Sequence, residues 1–146
     1  MPRRRGLRPH LLAAVLRSRR RLAFAAERQI VSRTLFMDPN ALVADLERVL
    51  PGFADYVASA DNLFDSDNLS GVFAACSHFV TERVIAADSW PSLAAVINRV
   101  VSESDAGASN AACTCFLENL ADPHHPLRPF LEGEALSYWK DYEGAG

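Results

Sequence analysis

SNAACTCFLENLADPHHPLRPFL, residues Ser109–Leu131, decides how this chain is read. At roughly 100° per residue from Ala112, the apolar side chains of Ala112, Phe116, Leu120, Cys113 and Leu117 fall within an arc of about 140°. Asn110, Thr114, Glu118 and Asn119 fill the rest of the circle. Ser109 can N-cap the run, and Asp122-Pro123 ends it, because the residue before a proline is pushed out of the α region. The spacing predicts an amphipathic helix, then a His-His-Pro turn and a short apolar coda, Leu127–Leu131.

The same period recurs on either side. Pro91–Ser104 places Leu93, Val96, Ile97, Val100 and Val101 on one face, after a break and cap at Asp88-Ser89-Trp90-Pro91; Asp105-Ala106-Gly107 closes it. Leu69–Ala87 is expected to be the longest helix, with Leu69, Val72, Phe73, Cys76, Phe79, Val80 and Val84 on one arc, Arg83 inside that arc and His78 opposite. Pro39–Leu50 carries Leu42, Leu46, Val49 and Leu50 on one face and stops at Pro51-Gly52, and Phe53–Ala60 is a weaker helical turn. Gly133–Tyr142 reads as a last short helix with Tyr138, Trp139 and Tyr142 grouped on one side. No segment alternates apolar and polar residues over strand length. The expected class is all-α: five to six antiparallel helices in a compact bundle, with HEAT-like stacking of helical pairs as the variant arrangement.

At 146 residues, 49% apolar and 23% charged, the chain is long enough for one domain with its own core. No apolar run is long enough to span a bilayer. Three cysteines without scaffold spacing argue against a disulfide framework and suit a reducing, cytoplasmic setting. The net charge of −3 conceals a split. Residues 1–36 hold ten arginines and one acid, Glu27, for +9; residues 37–146 hold Arg48, Arg83, Arg99, Arg128 and Lys140 against seventeen acids, for −12.

Three readings compete for the basic stretch: a membrane-surface or targeting helix, a nucleic-acid arm, or upstream sequence ahead of a start at Met37. Residues 1–36 are therefore read as a disordered extension or a mis-assigned start, and 37–146 as the single helical domain. An acidic domain repels nucleic acid and attracts basic proteins.

Chemistry is sparse. Cys113 and Cys115 lie about 200° apart on an α-helix, so they cannot share a metal with His124 and His125 from that helix. Asp61, Asp65 and Asp67 lack the glycine and glutamate of a calcium loop and read better as a turn and helix cap. No catalytic residue, cofactor or metal ligand is assigned. An alternative reading keeps Cys113, Cys115, His124, His125 and Glu118 as the parts of a small hydrolase or metal-binding protein.

The run Thr114-Cys115-Phe116-Leu117-Glu118-Asn119-Leu120, followed by Leu127–Ala135 and the Trp139/Tyr142 tail, resembles a bacterial family of small helical proteins. That family carries a Thr-x-Phe-Leu-Glu-Asn-Leu motif and a terminal Trp, and the resemblance covers about Pro39 to Tyr142. Glu132-Gly133-Glu134 stands where the family usually has Leu-Gly-Pro. Its members are otherwise of unknown function, but some are proposed to be immunity proteins that neutralise toxins, and the resemblance implies that kind of role.

With the acidic charge, it makes a basic protein the expected partner. Glu118, Asn119, Asp122, Asp65, Asp67 and Arg83 are the expected polar contacts, with Tyr138, Trp139 and Tyr142 as aromatic anchors and Trp90, Asp61, Glu132 and Glu134 in support.

Overall fold

The first helix of the described residues, α1 (Pro39–Val49), starts where its chemistry dictates: Asp38 Oδ1 accepts the Ala41 N–H at 2.9 Å, and Pro39 opens the first turn. Leu42, Leu46 and Leu50 are buried along one side. Gly52, with φ of +97°, turns the chain in a conformation that suits glycine. The Glu47 carboxylate then accepts the N–H groups of Gly52 (3.1 Å) and Ala54 (2.8 Å), so an acid from α1 caps the start of α2 (Phe53–Ser59). These backbone bonds, Ala54 first, hold the Glu47 carboxyl below its usual pKa.

The computed structural model describes residues 37–59 and 64–144. The readings of residues 1–36, of Asp61 and of the end of the Phe53–Ala60 turn lie outside them.

Asn68 caps α3 (Leu69–Glu82) through Gly71 N–H to Oδ1 at 2.7 Å. Val72, Phe73, Cys76, Phe79 and Val80 are buried as the periodicity requires. The helix ends five residues before the expected Ala87. Arg83 is extended (φ −117°, ψ 157°), and Val84, placed by the pattern on the core arc, is 101% exposed. The longest helix among the described residues is instead α4 (Ser89–Glu103, 15 residues), which buries Leu93, Val96, Ile97, Val100 and Val101.

The next junction also differs from expectation. Asp105 opens a helix, accepting the Ala108 N–H at 2.9 Å, and α5 (Ala106–Ala112) follows at once. Ser109 is therefore no cap; its hydroxyl donates to the Val101 carbonyl at 3.0 Å and ties α5 to α4. The helix runs on through a π turn (Cys113–Leu117), closed by the Glu118 N–H on the Cys113 carbonyl, into α6 (Glu118–Leu120). Ala112, Cys113, Phe116, Leu117 and Leu120 are all buried, as the arc predicts. A 3-10 turn (Arg128–Phe130) leads to α7 (Gly133–Glu143), where Gly133 has φ of +56°.

Among the described residues there is no strand, and the helices pack around one continuous core. The all-α class holds. Helix α4 contacts α1, α5, α7 and the 3-10 turn, and α3 packs against α5 and the π turn. Arg128 fastens the end of α7 to the 3-10 turn, with Nε 2.6 Å and Nη2 2.9 Å from the two Glu143 carboxylate oxygens. This bidentate pair raises the Arg128 pKa and lowers that of Glu143.

Candidate functional site

The π turn places Glu118 where an α-helical register would not. π turns insert one extra residue per turn and recur at functional positions. Half-buried Glu118 accepts a short hydrogen bond from the Tyr138 hydroxyl of α7. Tyr138 stacks on Tyr142 with ring centroids 5.0 Å apart and 22° between the planes. The Glu118 bond, then burial, then Tyr142 push the Tyr138 phenol well above its usual pKa, so it stays a donor at every physiological pH.

Glu134, Tyr138, Asp141 and Tyr142 recur at helical spacing and share a face of α7. Asp141 is exposed and Tyr142 is 40% exposed. An aromatic stack edged by carboxylates is suited to receive a cation, through ring quadrupole and Coulomb attraction together.

Three other expected contacts serve the fold. Asn119 is exposed but turns inward: its Nδ2 donates to the Cys115 carbonyl at 2.7 Å and lies 3.4 Å from the Ser77 hydroxyl of α3. The Asp122 carboxylate accepts the His124 N–H at 2.7 Å and shapes the turn after α6. Asp65 accepts the Asp67 N–H and the Asn68 amide, both at 2.9 Å, and so builds the α3 cap.

Two aromatic anchors are corrected. Trp139 is 0% exposed and Trp90 is buried, so neither can present its ring to a partner. Tyr138 and Tyr142 lie about 40° apart around a helix, whereas Trp139 follows Tyr138 by about 100°, which turns it into the core. The Trp139 Nε1–H has no partner in hydrogen-bond geometry; it reaches the Glu143 carboxylate only as a weak favourable dipole, behind Arg128.

The cysteines and histidines do not converge. Burial, with smaller contributions from Glu118 and Glu134, pushes the Cys113 thiol up to about 11, and burial raises Cys76 further still. Such thiols stay protonated and unreactive at neutral pH. Cys115 Sγ is 3.6 Å from the Thr114 hydroxyl. No group of three or more His, Cys, Asp or Glu among the described residues is placed to hold a metal ion. No described helix is long and apolar enough to cross a membrane.

His125 has a structural post that sequence reasoning missed. Its ring stands edge-on to Trp90 (5.3 Å, 84°) and Trp139 (5.6 Å, 65°), and its Nδ1 accepts the Leu127 N–H at 3.1 Å. The neutral Nε2–H tautomer follows, because protonated Nδ1 cannot accept. Burial lowers the His125 pKa from 6.5, against a smaller opposing effect of Asp122.

A base with a depressed pKa favours its neutral form in the fold. Its contribution is complete above pH about 6.5 and is lost as pH falls below that value. Urea midpoints of the full chain are therefore expected to drop between pH 7 and pH 5.5, and the drop to shrink in His125→Gln. An equal drop in the variant would refute it.

An open groove of about 400 Å³ lies between α4 and the 3-10 turn, lined by Pro91, Ala95, Asn98, Pro129, Phe130, Leu131 and Glu132. Asn98 holds its rim, donating to the Phe130 carbonyl (3.2 Å) and accepting the Glu132 N–H (3.1 Å).

Comparison of the chain with protein-family models, curated proteins and solved structures gives no match in any of the three.

Proposed function

We propose that the helical domain is a non-enzymatic binding module for a basic protein, acting as an immunity-type inhibitor, with Glu118, Tyr138, Asp141 and Tyr142 as its contact face. The observation that carries this reading is the Tyr138–Tyr142 stack held at the surface by Glu118. A rigid aromatic pair loses little conformational entropy on binding, and rings of this kind dominate interface energetics.

Charge supports the reading in a narrower way than composition suggests. Much of the acidity is spent on the fold: Asp38, Glu47, Asp65, Asp105 and Asp122 cap helices or turns, and Asp45 and Glu143 pair with arginines. The carboxylates of Asp55, Asp88, Glu103 and Asp141 accept no hydrogen bond from a described residue. These acids steer a cationic partner, and the aromatic face holds it.

The test uses the tagged full chain and its Tyr138→Ala/Tyr142→Ala double variant, incubated with native lysate and eluted along a salt gradient. A basic protein released from the wild type at intermediate salt, and bound at least about tenfold more weakly by the variant, is the expected result. Equal retention by both chains, or nothing retained at low salt, would sink the reading.

A further inference from the structure

We infer that Arg83 is a docking point for a carboxylate carried on an extended peptide segment of a protein partner. This site is built from α2 and α3 and does not depend on the Glu118–Tyr138 face.

The described residues contain four arginines. Arg48 and Arg99 both pair with Asp45, and Arg128 grips Glu143. Arg83 has no carboxylate partner among the described residues, although acids exceed bases heavily in this domain. The adjacent Glu82 turns elsewhere, lying 3.5 Å from the Tyr56 hydroxyl and 3.5 Å from His78 Nδ1.

The guanidinium is nonetheless held in place. It lies 4.8 Å from the Phe79 ring centroid and 5.0 Å from that of Tyr56. Those rings are themselves locked edge-on, Tyr56 to Phe79 at 5.3 Å and Phe53 to Phe79 at 5.6 Å, with Phe53 and Phe79 buried. A guanidinium already seated over two rings forfeits little rotamer freedom when its N–H groups are engaged. Its planar fork matches a carboxylate, which a lysine ammonium cannot reproduce.

The flanking chain suits a peptide. Arg83 leaves α3 in extended geometry, its N–H closing on the Phe79 carbonyl at 3.1 Å, and residues 84–86 continue without helix. Val84 projects its whole side chain into solvent. No described backbone carbonyl accepts the N–H of Val84 or Ile85. An extended ligand can therefore pair main chain here, rest an apolar side chain on Val84 and set its carboxylate on Arg83. The negative field of the domain opposes acidic ligands in general, so the contact is selective for one that reaches this fork.

The experiment follows the Arg83 Nε–Hε resonance of the full chain by NMR. The probes are the acetylated, amidated hexapeptide Ser-Val-Glu-Val-Thr-Ser, its glutamine counterpart, and inorganic phosphate. The expected result is a saturable shift with the glutamate peptide, Kd on the order of 1 mM, at least about tenfold weaker with the glutamine peptide. Arg83→Lys, followed through the backbone amide shifts of Val84 and Ile85 in both chains, is expected to weaken binding of the glutamate peptide while leaving the thermal midpoint close to wild type.

Equal response to both peptides overturns the proposal, as does unchanged binding by Arg83→Lys. A phosphate response stronger than that to the glutamate peptide also overturns it, by making the site one for inorganic oxyanions.

Discussion

Trp139→Ala is expected to remove about 3–5 kcal/mol of stability, as for other fully buried large aromatics cut back to alanine. The indole is wholly buried where α7 packs against α4 and the π turn, with the His125 ring against its edge. A domain of this size has only about 5–15 kcal/mol in total, so the variant sits near the unfolding threshold. Trp139→Phe is the informative partner. Its lost N–H makes no hydrogen bond of good geometry and acts only weakly on Glu143, so the cost is chiefly the missing ring volume. The phenylalanine variant is expected to lose less than half as much as the alanine variant. Urea unfolding of the three chains checks this, and an alanine variant within about 1 kcal/mol of wild type would show that α7 does not anchor the core.

Gly71→Ala is the second large effect, and its sign is the test. Alanine inside a helix is normally better than glycine by about 1 kcal/mol. Here a Cβ on residue 71 would lie 1.9 Å from the Asp65 carbonyl oxygen and 2.6 Å from its carbon. Those are backbone atoms, so the strand of chain before α3 must move. Moving it disturbs the Asp65 bonds to Asp67 and Asn68, and with them the Asn68 cap on Gly71. The expected outcome is a net loss of about 1–3 kcal/mol, the usual cost of forcing extra volume into a tight contact. A variant as stable as wild type, or more stable, would show that residues 64–68 do not pass this close to the helix.

The helices themselves were written in the sequence. Leu42, Leu46, Val72, Phe73, Cys76, Leu93, Ile97, Phe116 and Leu117 announce their buried faces by spacing alone, and all of them are buried. Asp38 and Asn68 supply the caps of α1 and α3, since a short polar side chain before an apolar period satisfies the free N–H groups of the first turn. The segment past Glu82 was misread for a physical reason. Arg83 and Val84 continue the period, and no glycine or proline interrupts it. Where the helix ends, Arg83 lies over the Tyr56 ring of α2 as well as over Phe79 of its own helix, a tertiary contact that spacing along one helix does not encode. The Asp105 junction failed similarly, because an aspartate between two apolar periods serves equally well to close one helix or to cap the next.

For the candidate site, the sequence marked Glu118, Tyr138 and Tyr142 as polar and aromatic residues worth watching, but not that they meet. That depends on the π turn, which shifts Glu118 by one residue of register, and on the docking of α7. Composition likewise determined that this domain is strongly acidic. Only the tertiary structure decided which carboxylates are used up in caps and ion pairs and which aromatics face solvent. Periodicity is a local rotation about one helix axis and fixes which residues share a side. Whether that side is covered depends on what packs against it, and residues far apart in the chain decide that together.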